Sequence, residues 1–240
     1  MTRAAAPTAT VRATTGAAWW LAPIVVATVA GFASSFSKRP HTLDVAHAAH
    51  GMLALGWSVL LVSQAFLADT RRREWHRISA MLGIIFAIGL VATSVPMLSA
   101  IATAAIANDN FRPTGYGLLA LDVLLLALFV ALVAVAVAWV RRPAVHSRVM
   151  AATGLLALPA GLGRGYMALF SVGPLTASHL ALGTAHAMLV GLIVRDRRAM
   201  QMEPVFPATI VTLLAIQASF PLMARAPWFD TLARTLVGSP

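Results

Sequence analysis

The chain has 240 residues, of which 59% are hydrophobic and only 11% charged, with a mean hydropathy of +0.81. A single water-soluble core of this size would be full long before so much apolar surface was used, which excludes a soluble globular domain and predicts an integral membrane domain. The net charge of +10 does not point to nucleic acid, because the basic residues stand in short segments between apolar runs, the pattern that orients membrane proteins. Cysteine is absent, so disulfides, thiolate metal sites and cysteine nucleophiles are excluded, and any metal must be held by His, Asp, Glu or Met.

Residues 1–16 are small, rich in Thr and Ala, and carry Arg3 and Arg12; they read as a disordered cytoplasmic leader. The first apolar run covers about residues 17–36, with Trp19 and Trp20 at its entrance, where amphipathic rings suit the membrane interface. A cleaved signal peptide is the competing reading, since two arginines precede an apolar stretch that ends in small residues. Either way the following loop lies outside. The second run, about 43–67, leads into the basic turn Asp69-Thr-Arg-Arg-Arg-Glu-Trp-His76-Arg77. The third, about 78–101, has Pro96 near its far end and is followed by the turn formers Asn108-Asp-Asn-Phe-Arg-Pro-Thr.

The fourth run, about 116–140, ends at Arg141-Arg142-Pro143, and the fifth, about 149–170, contains Pro159 and the segment GLGRGY. After the turn 171–174 comes the sixth, about 175–194, closed by Arg195-Asp-Arg-Arg198. The seventh covers about 208–223. In the tail, 225–240, Trp228, Phe229, Leu232 and Leu236 recur at helical spacing, which predicts a short amphipathic interfacial helix. The expected organisation is a leader over 1–16, a transmembrane helical domain over 17–224 with its core at 43–198, and the interfacial tail.

Seven spans with the N-terminus inside put Arg3, Arg12, Arg71, Arg72, Arg73, Arg77, Arg141, Arg142, Arg148, Arg195, Arg197 and Arg198 on the inner side. Lys38, Arg39, Arg112, Arg225 and Arg234 fall outside, and Arg164 falls within a span. Twelve against five favours N-in, C-out, because cytoplasmic loops carry the excess of basic residues. The fold class expected is therefore an all-α polytopic bundle in the bacterial inner membrane, with the lipid bilayer as its first partner.

Ionisable side chains at membrane depth are costly, so each marks a functional-site candidate. His47 and His50 share a helical face near the outer end of the second span, and the same stripe continues through Ala54, Trp57, Leu61 and Gln64. In the sixth span His179, Gly183 and His186 fall on one face. Asp122 lies about two turns into the fourth, and Arg164 and Tyr166 lie near the outer end of the fifth. Four helices thus bring polar groups to a similar depth, which predicts a pocket in the outer half if they face one another.

Three ligands suit such a set. Histidines on facing helices suit axial ligation of a b-type haem, with Arg164 and Tyr166 receiving propionates and Gly183 letting a flat macrocycle approach. His50, His179 and His186 could instead hold one transition metal. A quinone or another polar-headed lipid held by His and Asp hydrogen bonds is the third. The spacing His47-x-x-His50 does not choose among them. The bland readings are interfacial solvation for His47, an interhelical ion pair for Asp122 and Arg164, a neighbouring-helix hydrogen bond for His186, and packing notches for most glycines.

A second cluster lies on the inner side, where Trp75-His76-Arg77 opens the third span and His146-Ser147-Arg148 the fifth. Aligned on arginine, both have Gly six residues later, at Gly83 and Gly154, and His186-Ala-Met-Leu echoes His50-Gly-Met-Leu. His76, Arg77, His146 and Arg148 are candidates for binding anionic lipid heads or a substrate phosphate or carboxylate. Ordinary interfacial anchoring is the bland alternative.

The order His near the start of a span, then Arg73, His76, Arg77 and Gly83, then His146, Arg148, Met150 and Arg164 resembles a family of predicted bacterial and fungal membrane proteins of unknown function. The resemblance covers about residues 43–198 and implies a core of four or more helices, with no established activity. The chain departs from the family pattern at Ser147, where a second basic residue would follow the histidine. By architecture, the paired-His helices also look like dihaem b-type cytochromes and haem A synthase-like bundles. The function expected is redox-related, with a haem b, metal or quinone site near the outer face. The alternative is a non-catalytic carrier of small molecules or lipids, or an assembly subunit with a membrane-protein partner. No GxSxG or HExxH motif points to a hydrolase.

Overall fold

Apolar runs that leave water must close their peptide hydrogen bonds within themselves, which selects helices. A computed structural model describes residues 17–38 and 45–238, and those residues form nine α-helices. They are α1 (Ala17–Lys38), α2 (Val45–Asp69), α3 (Arg73–Ala107), α4 (Arg112–Ala138), α5 (Pro143–Leu155), α6 (Leu158–Phe170), α7 (Pro174–Arg198), α8 (Val205–Met223) and α9 (Pro227–Val237). The leader expected over 1–16 and the side chain of Trp19 lie outside the described residues.

α2, α3, α4, α7 and α8 are long and apolar enough to cross a membrane, and α1 carries the shorter apolar stretch Trp20–Gly31. The outward faces are themselves apolar. Ile78, Met81, Ile84, Ile85, Ile88 and Val95 of α3 are all exposed, a continuous stripe that hydrocarbon tolerates and water does not. α3 has 35 residues, roughly 50 Å of helix, longer than a bilayer core needs, and its far end carries α9.

The fifth apolar run is not one helix. α5 starts earlier than expected, at Pro143, and stops at Leu155; α6 resumes at Leu158. Pro159 causes the break, since its ring lacks an N–H and would collide with the carbonyl of residue 155. The chain tightens there through i to i+3 bonds, Leu156 N–H to Thr153 O and Ala157 N–H to Gly154 O, both 3.3 Å. Pro96, by contrast, is accommodated inside α3.

The break controls the packing. α1, α2, α3, α4, α8, α7 and α6 each lie against the next and close into a ring, since α6 also packs on α1. α5 touches α1, α2, α4 and α8, and so fills the centre of the arginine-rich half, whereas α6 steps aside into the ring wall between α1 and α7. α1 and α6 cross backbone to backbone at Gly31 and Gly161: a Cβ on Gly161 would lie 2.7 Å from the Cα of Thr28. The tail helix expected at the interface is present and docks on the bundle, with Phe229 and Ala233 fully buried and Trp228 exposed. Tyr116 donates to Asp230 at 2.5 Å, and its ring meets Phe229 edge-on.

Candidate functional site

The stripe read from the second span does face inward. Trp57 and Leu61 are buried, and the Trp57 ring meets Phe129 of α4 edge-on, centroids 5.2 Å apart. Seven residues before each, two helical turns or roughly 10 Å further from the arginine-rich end, stand His50 and Asp122. Asp122 shares its helical face with Gly115, Leu119, Leu125 and Phe129, all buried, yet its own side chain is accessible. An accessible carboxylate on a buried face lines an internal crevice. The aromatic pair stands two turns nearer the arginine-rich end, and α6 packs on α1 and α7.

Three further groups reach it. Arg164 of α6 interacts electrostatically with both Asp122 and His50, and His47 with His50. His50 Nδ1 lies 3.0 Å from the Thr93 hydroxyl of α3. That hydroxyl also lies 2.7 Å from the Gly89 carbonyl of its own helix, so Thr93 ties His50 to α3. The contact is made through Nδ1, which leaves Nε2 as the other ring nitrogen. Trp57 Nε1–H is buried with no acceptor among the described residues, a loss of roughly 1–3 kcal/mol unless something else accepts it.

Electrostatic interactions link His47, His50, Asp122 and Arg164, while Tyr166 and His179 have partners of their own. Tyr166, two residues from Arg164, has another partner: its hydroxyl shares a 2.7 Å hydrogen bond with that of Thr184 of α7, and its ring stacks on Phe170. His179 is bound to Gln217 of α8 at 3.2 Å and packs on Phe220. His186 lies a further two turns along α7, with Nε2 buried and unbonded. Gly183 between them is exposed, with open space where a Cβ would stand. Among the described residues no three His, Asp or Glu gather where they could share a metal ion; His50, His179 and His186 are not brought to one point.

On the inner side the two echoing segments prove equivalent in register. Arg72 and Arg142 are the N-caps of α3 and α5, and His76 and His146 each stand four residues on. Each ring's Nδ1–H reaches back to a carbonyl of the preceding helix, Gln64 O at 3.3 Å and Ala136 O at 2.8 Å. Both therefore lock a helical hairpin, and the two rings lie close enough for an electrostatic interaction. Arg77 is exposed. Arg148 is not available as an anion clamp, because it is 2% exposed and each of its three nitrogens already donates within the protein: Nε to Asp196 at 2.6 Å, Nη1 to Ala144 O at 2.7 Å and Nη2 to Gln201 O at 2.8 Å.

Four partners escaped the sequence reading. Thr93 carries no signal, since a threonine in a span usually bonds its own helix. Gln64 continues the His50 stripe, yet it bonds His76 O and Ser79. Gln217, the one amide in the seventh run, and Asp196, the one acid in an arginine cluster, could have been noticed as polar residues out of place. No protein-family model, curated protein or solved structure matches the chain, so the function has to be argued from this geometry.

Proposed function

We propose that this is a seven-pass protein of the bacterial plasma membrane, N-terminus inside, whose outer-half crevice binds the headgroup of a quinone-like amphiphile. Membership of the unknown-function family resembled over residues 43–198 is part of the proposal. Five membrane-length helices carry the coarse statement, α1 and the α5–α6 pair supply the remaining traverses, and the asymmetry of arginines supports the orientation. The observation that carries the ligand is the accessible Asp122 on a buried face, above the Trp57–Phe129 pair.

The chemistry fits a flat ring with oxygens at two edges. His50 Nε2 accepts from a hydroxyl, Arg164 donates to a carbonyl or phenolate oxygen, and Asp122 accepts a second proton. A b-type haem is the second reading, favoured by one observation: Thr93 engages His50 through Nδ1, which leaves Nε2 as the nitrogen that would meet iron.

The experiment is a reduced-minus-oxidised visible spectrum of the detergent-purified protein, with solvent extraction and ultraviolet analysis of the same sample. The expected result is a near-stoichiometric quinone, reduced at least tenfold in His50→Ala and Asp122→Leu. A Soret band lost in His50→Ala, with no quinone, would replace the quinone by haem. A flat spectrum and an empty extract, after expression with ample haem and quinone, would refute both and leave a carrier or assembly subunit. Since the chain has no native cysteine, Arg72→Cys and Asn110→Cys test the orientation directly. An impermeant maleimide should label the second in intact cells and the first only after lysis.

A further inference from the structure

The inward stripe of α2 has a counterpart in α4. Moving 72 residues along the chain carries His50 to Asp122, Ala54 to Leu126, Trp57 to Phe129 and Gln64 to Ala136. Trp57, Phe129 and Ala136 are buried, and Ala54 and Leu126 pack against the core. The last pair is matched in role as well as in place, since Gln64 O and Ala136 O are the carbonyls met by His76 and His146. Past the turns the offset is 70 residues. Arg72 and Arg142 cap α3 and α5 with related backbone angles, φ -80°, ψ 64° and φ -112°, ψ 85°. Their carbonyls accept from the amides of His76 and His146 at 3.0 and 2.9 Å.

Counterparts also meet. The Trp57 and Phe129 rings touch, centroids 5.2 Å apart, and His76 interacts electrostatically with His146. His50 and Asp122 both interact with Arg164. Under a two-fold rotation a residue lies from its counterpart at twice its distance from the axis, so counterparts in contact mark where the axis runs. The helix neighbours obey the same operation: α2 packs on α3 and α5, and α4 packs on α5 and α3. Because α2 and α4 enter their turns at the same arginine-rich end, the axis is parallel to the helices, the arrangement of parallel repeats in a membrane. The copies part after Leu155, where Pro159 separates α6 from α5 while α3 continues to Ala107.

We infer that α2–α3 and α4–α5 are two copies of one hairpin around a pseudo-two-fold axis along the membrane normal, and that the outer site is built across this axis from one group of each copy. His50 and Asp122 are then one position used twice, as an imidazole and as a carboxylate. A ligand held between them needs a polar atom toward each copy, which specifies a molecule with polar groups at opposite edges. That last step rests on the outer crevice being a ligand site; the axis does not.

The test exchanges counterparts in the full-length protein. In SDS titration Trp57→Phe should lower the unfolding midpoint by leaving a gap and Phe129→Trp by overfilling. Combined, they should regain about half of the larger loss or more. Trp57→Leu with Leu125→Trp conserves volume equally but exchanges no counterparts, and it should regain nothing. A combined exchange no better than the worse single, or a control that recovers as well, would overturn the axis. The site across it is read by quinone extraction. His50→Asp and Asp122→His should each lose about tenfold in retention, the worth of a hydrogen bond to a charged group, and together recover about threefold of it. Quinone in the native protein with no recovery in the pair would overturn the shared site. An empty native extract would remove the quinone reading, and with it the shared ligand, while the SDS titration still decides the axis.

Discussion

The buried arginine of α5 offers the sharpest test of how the bundle is held together. Arg148 and Asp196 are 2% and 4% exposed, and Arg148→Met removes three bonds of 2.6, 2.7 and 2.8 Å at once. Asp196 then keeps only the 3.3 Å contact with Arg195. Removing one partner of a buried pair usually costs about 3–5 kcal/mol, because the other charge is stranded; with Arg195 in reserve, the lower end, about 3 kcal/mol, is expected. Asp196→Asn should cost less, about 1.5–3 kcal/mol, since it weakens one charged hydrogen bond and leaves Arg148 its two carbonyl acceptors. In the double variant Arg148→Met with Asp196→Asn no charge is stranded, so its cost should fall well short of the sum of the singles. Reversible unfolding in mixed micelles by SDS titration measures all three. A loss below about 1 kcal/mol for Arg148→Met, or simple additivity in the double variant, would refute the reasoning.

Gly161→Ala should separate α1 from α6 and cost about 1–3 kcal/mol, because its Cβ would meet the Thr28 backbone at 2.7 Å; Gly183→Ala, with nothing within 4 Å, should be nearly neutral in the same titration. Thr93→Val should leave the helicity intact but free His50 Nδ1, and ligand retention at the outer crevice should fall at least threefold by the extraction assay. The docking of α9 should depend on pH. The Tyr116 hydroxyl, and after it Arg234, hold the Asp230 carboxyl below its ordinary range. Its contribution is therefore complete above the unfolded carboxylate value near 4 and is lost as pH falls through the lower folded value. Amide exchange in α9 should accelerate only on the acid side, and Asp230→Asn should give the fast exchange already at pH 7.

Composition, long apolar runs and arginine placement were enough to read the helices of this protein, because each depends on its own residues and on water being absent. Six of the seven runs appear as single helices with ends shifted by a few residues. The break at Pro159 was legible as a proline, but its effect was not, since whether a proline kinks a helix or parts two depends on what the freed segments pack against. Pro96 and Pro159 have opposite outcomes in this chain for that reason. The list of polar residues at membrane depth was also legible, one side chain at a time, as were the register of His76 and His146 at two equivalent hairpins and the inward face of Trp57.

Their partnership was not. His50 with Thr93, His179 with Gln217, Tyr166 with Thr184 and Arg148 with Asp196 all join different helices, and helical periodicity says which residues share a face but not which face meets which. Only the closing of the ring, with α5 at its centre and α6 in its wall, brought His50 of α2, Asp122 of α4 and Arg164 of α6 into electrostatic contact. Sequence determined what each helix could bury in a membrane; tertiary packing decided which polar groups would face each other there.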